Sequence, residues 1–215
     1  MNKNLLIVSS HFSEDMNWLI NQSDYDFVIY TKNKSMLANY SCQDKIIEIE
    51  NKCKEVSSYL SYIINNYDNL PEFIAFIHGH FTSYHQTDNI LNLLKDIKYI
   101  DFESLNRRDW RNIFHDDVLN EEPKGELREV QLYNWNFVKE NYPDMGLNLP
   151  IPKKLICTAC AQFVLSRKTI LNNPLSEYLK LWDWMNRTNL DDYISSRVFE
   201  HLWHYILTHK EIEDI

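Results

Sequence analysis

The residues best suited to chemistry sit together in one short segment, Phe76-Ile77-His78-Gly79-His80-Phe81-Thr82-Ser83-Tyr84-His85. His78 and His80 are two apart, so on a continuing strand they face the same way. Neutral imidazoles in such a pattern bind a divalent metal or hydrogen-bond phosphate oxygens. The same spacing also suits turn histidines that bond loop carbonyls. Gly79 between them permits a tight backbone or a close ligand approach. A second group lies near the end of the chain, Ser196-Arg197-Val198-Phe199-Glu200-His201-Leu202-Trp203-His204. On a helix, Glu200 and His204 share a face at i and i+4, and His201 and His204 at i and i+3. A carboxylate beside imidazoles suits general-base work or metal ligation. A salt bridge that anchors a C-terminal helix uses the same spacing.

Three weaker signals complete the set. Cys157-x-x-Cys160 has no second cysteine pair at zinc-finger spacing and reads as buried thiols. Arg107-Arg108 with Trp110-Arg111 suits an anionic or sugar ligand, or an ion-pair set within a lobe. The acidic stretch from His115 to Glu129 reads as solvated surface.

The elements that must position these residues follow an α/β order. Asn2–Ser9 is a short apolar run that reads as a buried strand. Ser13 is placed to cap a helix that holds Trp18, Leu19 and Ile20. Tyr25–Tyr30 and Asp44–Glu50 read as further strands. Lys54–Asn66 has helical spacing, with Val56, Tyr59, Leu60, Ile63 and Ile64 on one face. Glu72–Ile77 is the strand that delivers the histidine segment to its carboxyl end, where open α/β sheets bind ligands. Asp88–Leu94 reads as a helix. Tyr99–Glu129 reads as a loop-rich lobe. Leu155–Ser166 reads as one strand, and Thr169–Asn173, Pro174–Thr188 and Leu190–His209 as helices. The expectation is a single Rossmann-like domain over residues 1–215, with a mainly parallel mixed sheet between helices.

Composition narrows the functions. The chain has 215 residues, of which 44% are hydrophobic and 25% charged, as in a globular domain. It has 3 glycines, where average usage of about 7% gives roughly 15. Walker loops, G-x-G-x-x-G loops and G-x-S-x-G elbows are thereby excluded. A net charge of -9 argues against nucleic acid as the main partner. No N-terminal apolar run reaches the length of a spanning helix, so a cytoplasmic protein without a membrane span is expected.

The segments taken together resemble an uncharacterised domain-of-unknown-function family found mostly in fungal proteins. The matching stretches are Val8-Ser9-Ser10-His11-Phe12-Ser13-Glu14-Asp15 with Trp18-Leu19, then Val28-Ile29-Tyr30-Thr31-Lys32, Glu55 to Pro71, and Phe76 to His85. Cys160-Ala161-Gln162-Phe163-Val164-Leu165-Ser166-Arg167 and Ser195 to Ile206 follow in the same order. The layout is similar to nucleotide-sugar glycosyltransferases of the GT-A fold. That resemblance implies a nucleotide-binding half, residues 1–86, and an acceptor half with C-terminal helices, residues 87–215. Ser9, His11 and Tyr30 would line the nucleotide pocket, with Glu55 also among the donor-binding residues. His78 and His80 would occupy the place of the acidic D-x-D motif and meet the diphosphate, with or without a metal held by His78, His80 and His85. Arg108 and Trp110 would shape the acceptor side, and Glu200 would deprotonate the acceptor.

The partners so implied are a nucleotide-sugar donor, with Mn²⁺ or Zn²⁺, and a glycan or protein acceptor. Imidazoles suit Zn²⁺ or direct phosphate bonding better than Mn²⁺. A zinc-dependent hydrolase built on His78, His80 and His85, and a carbohydrate-binding protein with a degenerate transferase cleft, are the alternatives.

Overall fold

The structure is a computed structural model that describes residues 5–97, 101–107, 111–115, 126–158 and 161–213, without the side chains of 111–112 and 126–132. Its strands are β1 (Leu5–His11), β2 (Asp26–Thr31), β3 (Ile46–Glu48), β4 (Phe73–His78), β5 (Phe102–Ser104), β6 (Arg111–His115), β7 (Lys154–Thr158) and β8 (Phe163–Ser166). Its helices are α1 (Asn17–Ile20), α2 (Glu55–Asn66), α3 (Ile90–Asp96), α4 (Glu126–Asn141), α5 (Arg167–Ile170), α6 (Leu175–Arg187) and α7 (Asp192–Thr208).

Six strands form one sheet in the order β3-β2-β1-β4-β8-β5, and β6 pairs with β7 in a second, two-stranded sheet. The pairs β1–β2, β1–β4 and β2–β3 are parallel. β8 runs antiparallel to both β4 and β5. This is the mixed, mainly parallel Rossmann-like α/β sheet flanked by helices that the sequence predicts.

Alternation along the strands divides the core. Val8, Ile74, Phe76 and Phe163 pack on one face, under α2, α6 and α7. Leu5, Ile7, Ala75 and Ile77 pack on the other, against α1 and α3. With both faces covered, the central strands are continuously apolar rather than alternating. The first core is strongly aromatic. Tyr59 and Phe76 lie 4.8 Å apart between ring centroids, and Phe76 and Phe163 5.7 Å apart.

Several boundaries depart from the sequence expectation. Ser13 does not cap α1; the backbone N–H of Asn17 donates to Asp15 Oδ1 instead (2.9 Å). The stretch expected as one strand, Leu155–Ser166, is split between β7 and β8, which lie in different sheets. The region expected to be loop-rich supplies β5, β6 and the start of α4. Those short strands are held by non-local partners, which local pattern does not reveal. Other helix ends follow sequence rules. Asp191 caps α7 by accepting from the Ile194 N–H, and Pro174 stands just before α6. No helix of the described residues is long and apolar enough to cross a membrane.

Phe76 is fully buried beneath α2. Phe76→Ala is expected to cost about 3–5 kcal/mol in urea denaturation. Tyr84 is 75% exposed, and Tyr84→Ala should change stability by no more than about 0.5 kcal/mol in the same assay.

Candidate functional site

Chain order places the site. From β1 the chain winds outward through β2 and β3, then returns to the other side of β1 as β4. The crevice outside the carboxyl ends of β1 and β4 is therefore the topological switch point, where sheets of this kind bind ligands. Register puts Ser10 opposite His78 at that end. Alternation then sends His78, like Phe76, toward α2 and α7, and Gly79 toward α1.

His78 ends β4, and the following turn brings two further imidazoles back to it. The ring centroids of His78 and His80 are 5.1 Å apart, those of His80 and His85 5.5 Å, and those of His78 and His85 6.1 Å. One ligand nitrogen from each lies within 4.8 Å of the others. Nε2 of His78 and Nε2 of His80 are buried without a hydrogen-bond partner. Buried polar atoms are normally satisfied, so these two nitrogens are available to ligate a cation.

Protonation agrees with this. Burial, then the neighbouring His80 and His85, lowers His78 to about 3. Burial also lowers His80 and His85. All three rings are thus neutral near pH 7, the form that ligates a metal. Three neutral imidazoles gathered this closely could supply three protein ligands to a zinc ion, the number that catalytic zinc sites use.

The cluster is held from behind. His85 Nδ1 bonds Asn106 Oδ1 (2.7 Å), which makes Nδ1 the protonated nitrogen and leaves Nε2 its lone pair. Asn106 Nδ2 donates to the Gln162 carbonyl (3.3 Å). Gln162 Oε1 accepts from the backbone N–H of His78 (3.1 Å). One polar network therefore ties two ligand segments to β8. Gly79 serves a close approach, but to Glu14 rather than to a ligand. A Cβ there would lie 2.7 Å from Glu14 Oε2, which already accepts from the N–H groups of Phe12 (2.8 Å) and Ser13 (3.0 Å). Trp18 Nε1 donates to the Gly79 carbonyl (2.9 Å).

Charged groups gather beside the imidazoles. The entry to α2 carries two consecutive non-glycine residues with positive φ, Cys53 (50°) and Lys54 (53°). Such residues cost on the order of 1–3 kcal/mol each and persist only when their surroundings enforce them. Here Asp192 Oδ1 accepts from the Cys53 N–H (2.7 Å), and Cys53 Sγ donates to Ser195 Oγ (3.0 Å). Glu55, the next residue, is buried. Burial, reinforced by the charge of Glu200, raises Glu55 to about 7. Lys32 donates to the hydroxyls of Ser57 and Ser58. Burial lowers Lys32 to about 8, opposed by Glu55, Asp192 and Cys53. Glu200 is half-buried on α7, and its charge reaches His85, His201 and Glu55.

The structure thus brings together His78, His80 and His85, with the charge of Glu200 acting on His85 and on the buried Glu55. The other sequence candidates are placed differently. His11 is fully buried and both its ring nitrogens are engaged. Nε2 donates to the Glu14 carbonyl (3.1 Å), so Nδ1 accepts from the Thr31 hydroxyl (2.9 Å). Tyr30 is part of the core under α2. Ser9 is fully buried with an unpartnered hydroxyl. His204 packs edge-on against Phe102, 5.1 Å between centroids. Arg108, Trp110 and Cys160 lie outside the described residues. Cys42, Cys53 and Cys157 are free thiols.

Sequence reasoning passed over Asn106, Lys32 and Glu14. Glu14, Lys32 and Gln162 stand within the motifs quoted above, but nothing in their spacing shows that they reach this site.

Residues 6–214 match a family model described as protein of unknown function (DUF3431). The chain belongs to that family. No curated protein and no solved structure gives a significant match. The match covers nearly the whole chain, so the DUF3431 domain includes the histidine turn, the Asn106–Gln162 network and α7.

Two predictions follow from this geometry. Zinc titrated against a chromophoric chelator should bind at about one equivalent per chain, and His80→Ala should remove that binding. Asn106→Ala, which frees the His85 ring, should weaken it about 10–100-fold. The second concerns Glu55, whose pKa rises from 4.5 to about 7 on folding. The folded protein then holds this proton more tightly than the unfolded chain. The stability it contributes is fully present below about pH 4.5 and is lost as pH rises through about 7. Glu55→Gln should therefore gain on the wild type between about pH 5 and about pH 8, by on the order of 1–3 kcal/mol, in paired urea denaturations.

Proposed function

We propose that this DUF3431 protein is a metal-assisted glycosyltransferase, moving a sugar from a nucleoside-diphosphate donor to a glycan or protein acceptor. The observation that carries the reading is the cluster of three neutral imidazoles at the switch point between β1 and β4. A divalent cation there would supply the positive charge that a leaving diphosphate requires. The protein's own residues do the rest. His78, His80 and His85 hold the cation, and Asn106 keeps the His85 ring in the ligating tautomer. Lys54 adds a positive charge that acts on His78. Glu200 accepts the proton of the attacking hydroxyl, and Glu55, held near neutrality by burial, limits repulsion between the two carboxylates. The scarcity of glycine fits the assignment, because side chains rather than a glycine-rich loop contact the phosphates.

The all-imidazole donor set favours a second reading, a zinc-dependent hydrolase in which the open position holds water.

Thermal unfolding with UDP, GDP and their sugar conjugates, each with Mn²⁺ or Zn²⁺, separates the two. A donor at about a hundredfold excess over its dissociation constant stabilises the native state by about 2.7 kcal/mol. The transferase reading expects such a shift with one nucleoside diphosphate, dependent on metal and lost in the His78→Ala/His80→Ala protein. Zinc binding without any nucleotide response would replace it with the hydrolase.

A further inference from the structure

A cavity of about 300 Å³ lies between α4 and α7, and none of His78, His80 and His85 lines it. That volume is at the lower end of the range for small-molecule sites, about 300–1,000 Å³. We propose that it binds a pyranose ring and serves as the acceptor subsite of the enzyme. As an acceptor subsite it rests on the transferase reading; as a sugar-binding cavity it stands on its own lining.

The lining combines aromatic surface with hydrogen-bonding groups, as a sugar ring requires. Tyr133 and Phe137 on α4 lie 5.3 Å apart between centroids, and Tyr133 is 57% exposed. They offer aromatic surface to the C–H face of a ring. Asn134 beside them on α4, with Asp191 and Arg197 on the α7 side, can take hydroxyl groups. Arg197 donates to the Tyr193 hydroxyl and stacks on that ring at 4.4 Å, so only part of its donor set is used. Asp191 caps α7 through one carboxylate oxygen. The wall thus carries one charge of each sign. An anion there would meet Asp191 and a cation would meet Arg197. A neutral ring with several hydroxyls meets neither penalty.

Placement links the cavity to the chemistry. Its wall includes His201, the residue next to Glu200 on α7. Arg197 precedes Glu200 by three residues, about one turn. Tyr193, also in the wall, lies under the Lys54 ammonium at 4.5 Å, and the Lys54 charge acts on His78. A sugar in the cavity is therefore one helical turn from the carboxylate assigned as base.

Saturation-transfer NMR with methyl glycosides of glucose, galactose, mannose and N-acetylglucosamine tests this without donor or metal. Cyclohexanol serves as a ring lacking the vicinal hydroxyls. Ring protons of at least one glycoside should take up saturation while cyclohexanol does not. Tyr133→Ala and Arg197→Ala, each first shown to keep the wild-type unfolding midpoint, should weaken binding about tenfold, equivalent to about 1.4 kcal/mol. The His78→Ala/His80→Ala protein should bind as the wild type does. No uptake from any glycoside, equal uptake by cyclohexanol, or binding unchanged in both cavity variants would overturn the proposal. Sugar binding that survives while every nucleotide fails would overturn the transferase and keep the cavity.

Discussion

The pairing of β1 with β4 is the contact on which the candidate site depends. It sets Ser10 beside His78 and lies at the point where the winding of the sheet reverses. The aromatic core beneath it, from Tyr59 through Phe76 to Phe163, fixes where α2 and α7 can sit. Those two helices carry Glu55 and Glu200. A slip of one residue in β4 would turn His78 to the α1 side and bring Gly79 under α2. Register therefore decides whether the imidazoles and carboxylates meet at all.

Burial then decides how these groups are charged. It lowers the three histidines, raises Glu55 and lowers Lys32. Each shift disfavours the charged form in a region poor in water. The result is a centre rich in lone pairs that carries little positive charge of its own. Such a centre suits a cation better than a bare anion. The polar network through Asn106 and Gln162 keeps the ligands oriented, while the orphaned Nε2 atoms of His78 and His80 remain directed inward.

The strained entry to α2 belongs to the same arrangement. Cys53 and Lys54 both have positive φ, and Cys53 is bonded there to Asp192 and Ser195 in the first turn of α7. Two segments about 140 residues apart thus meet at the turn that leads into the buried Glu55. Lys54 then spans two regions, with its ammonium over Tyr193 and its charge acting on His78.

Much of this was legible in the residues themselves. Apolar runs at strand length, helical spacing in Lys54–Asn66 and the order of elements determine an α/β sheet. The two-residue spacing of His78 and His80, directly after an apolar strand, determines that imidazoles stand at a strand end. These features are local, because strand and helix periods are written in neighbouring residues. Other features are not local. His85 could be named beside His78 and His80, but only the tertiary structure places Asn106 behind it, engages both ring nitrogens of His11 with Thr31 and the Glu14 carbonyl, and divides Leu155–Ser166 between two sheets. Those outcomes depend on which distant surfaces meet, and burial against a distant partner leaves no period in the sequence.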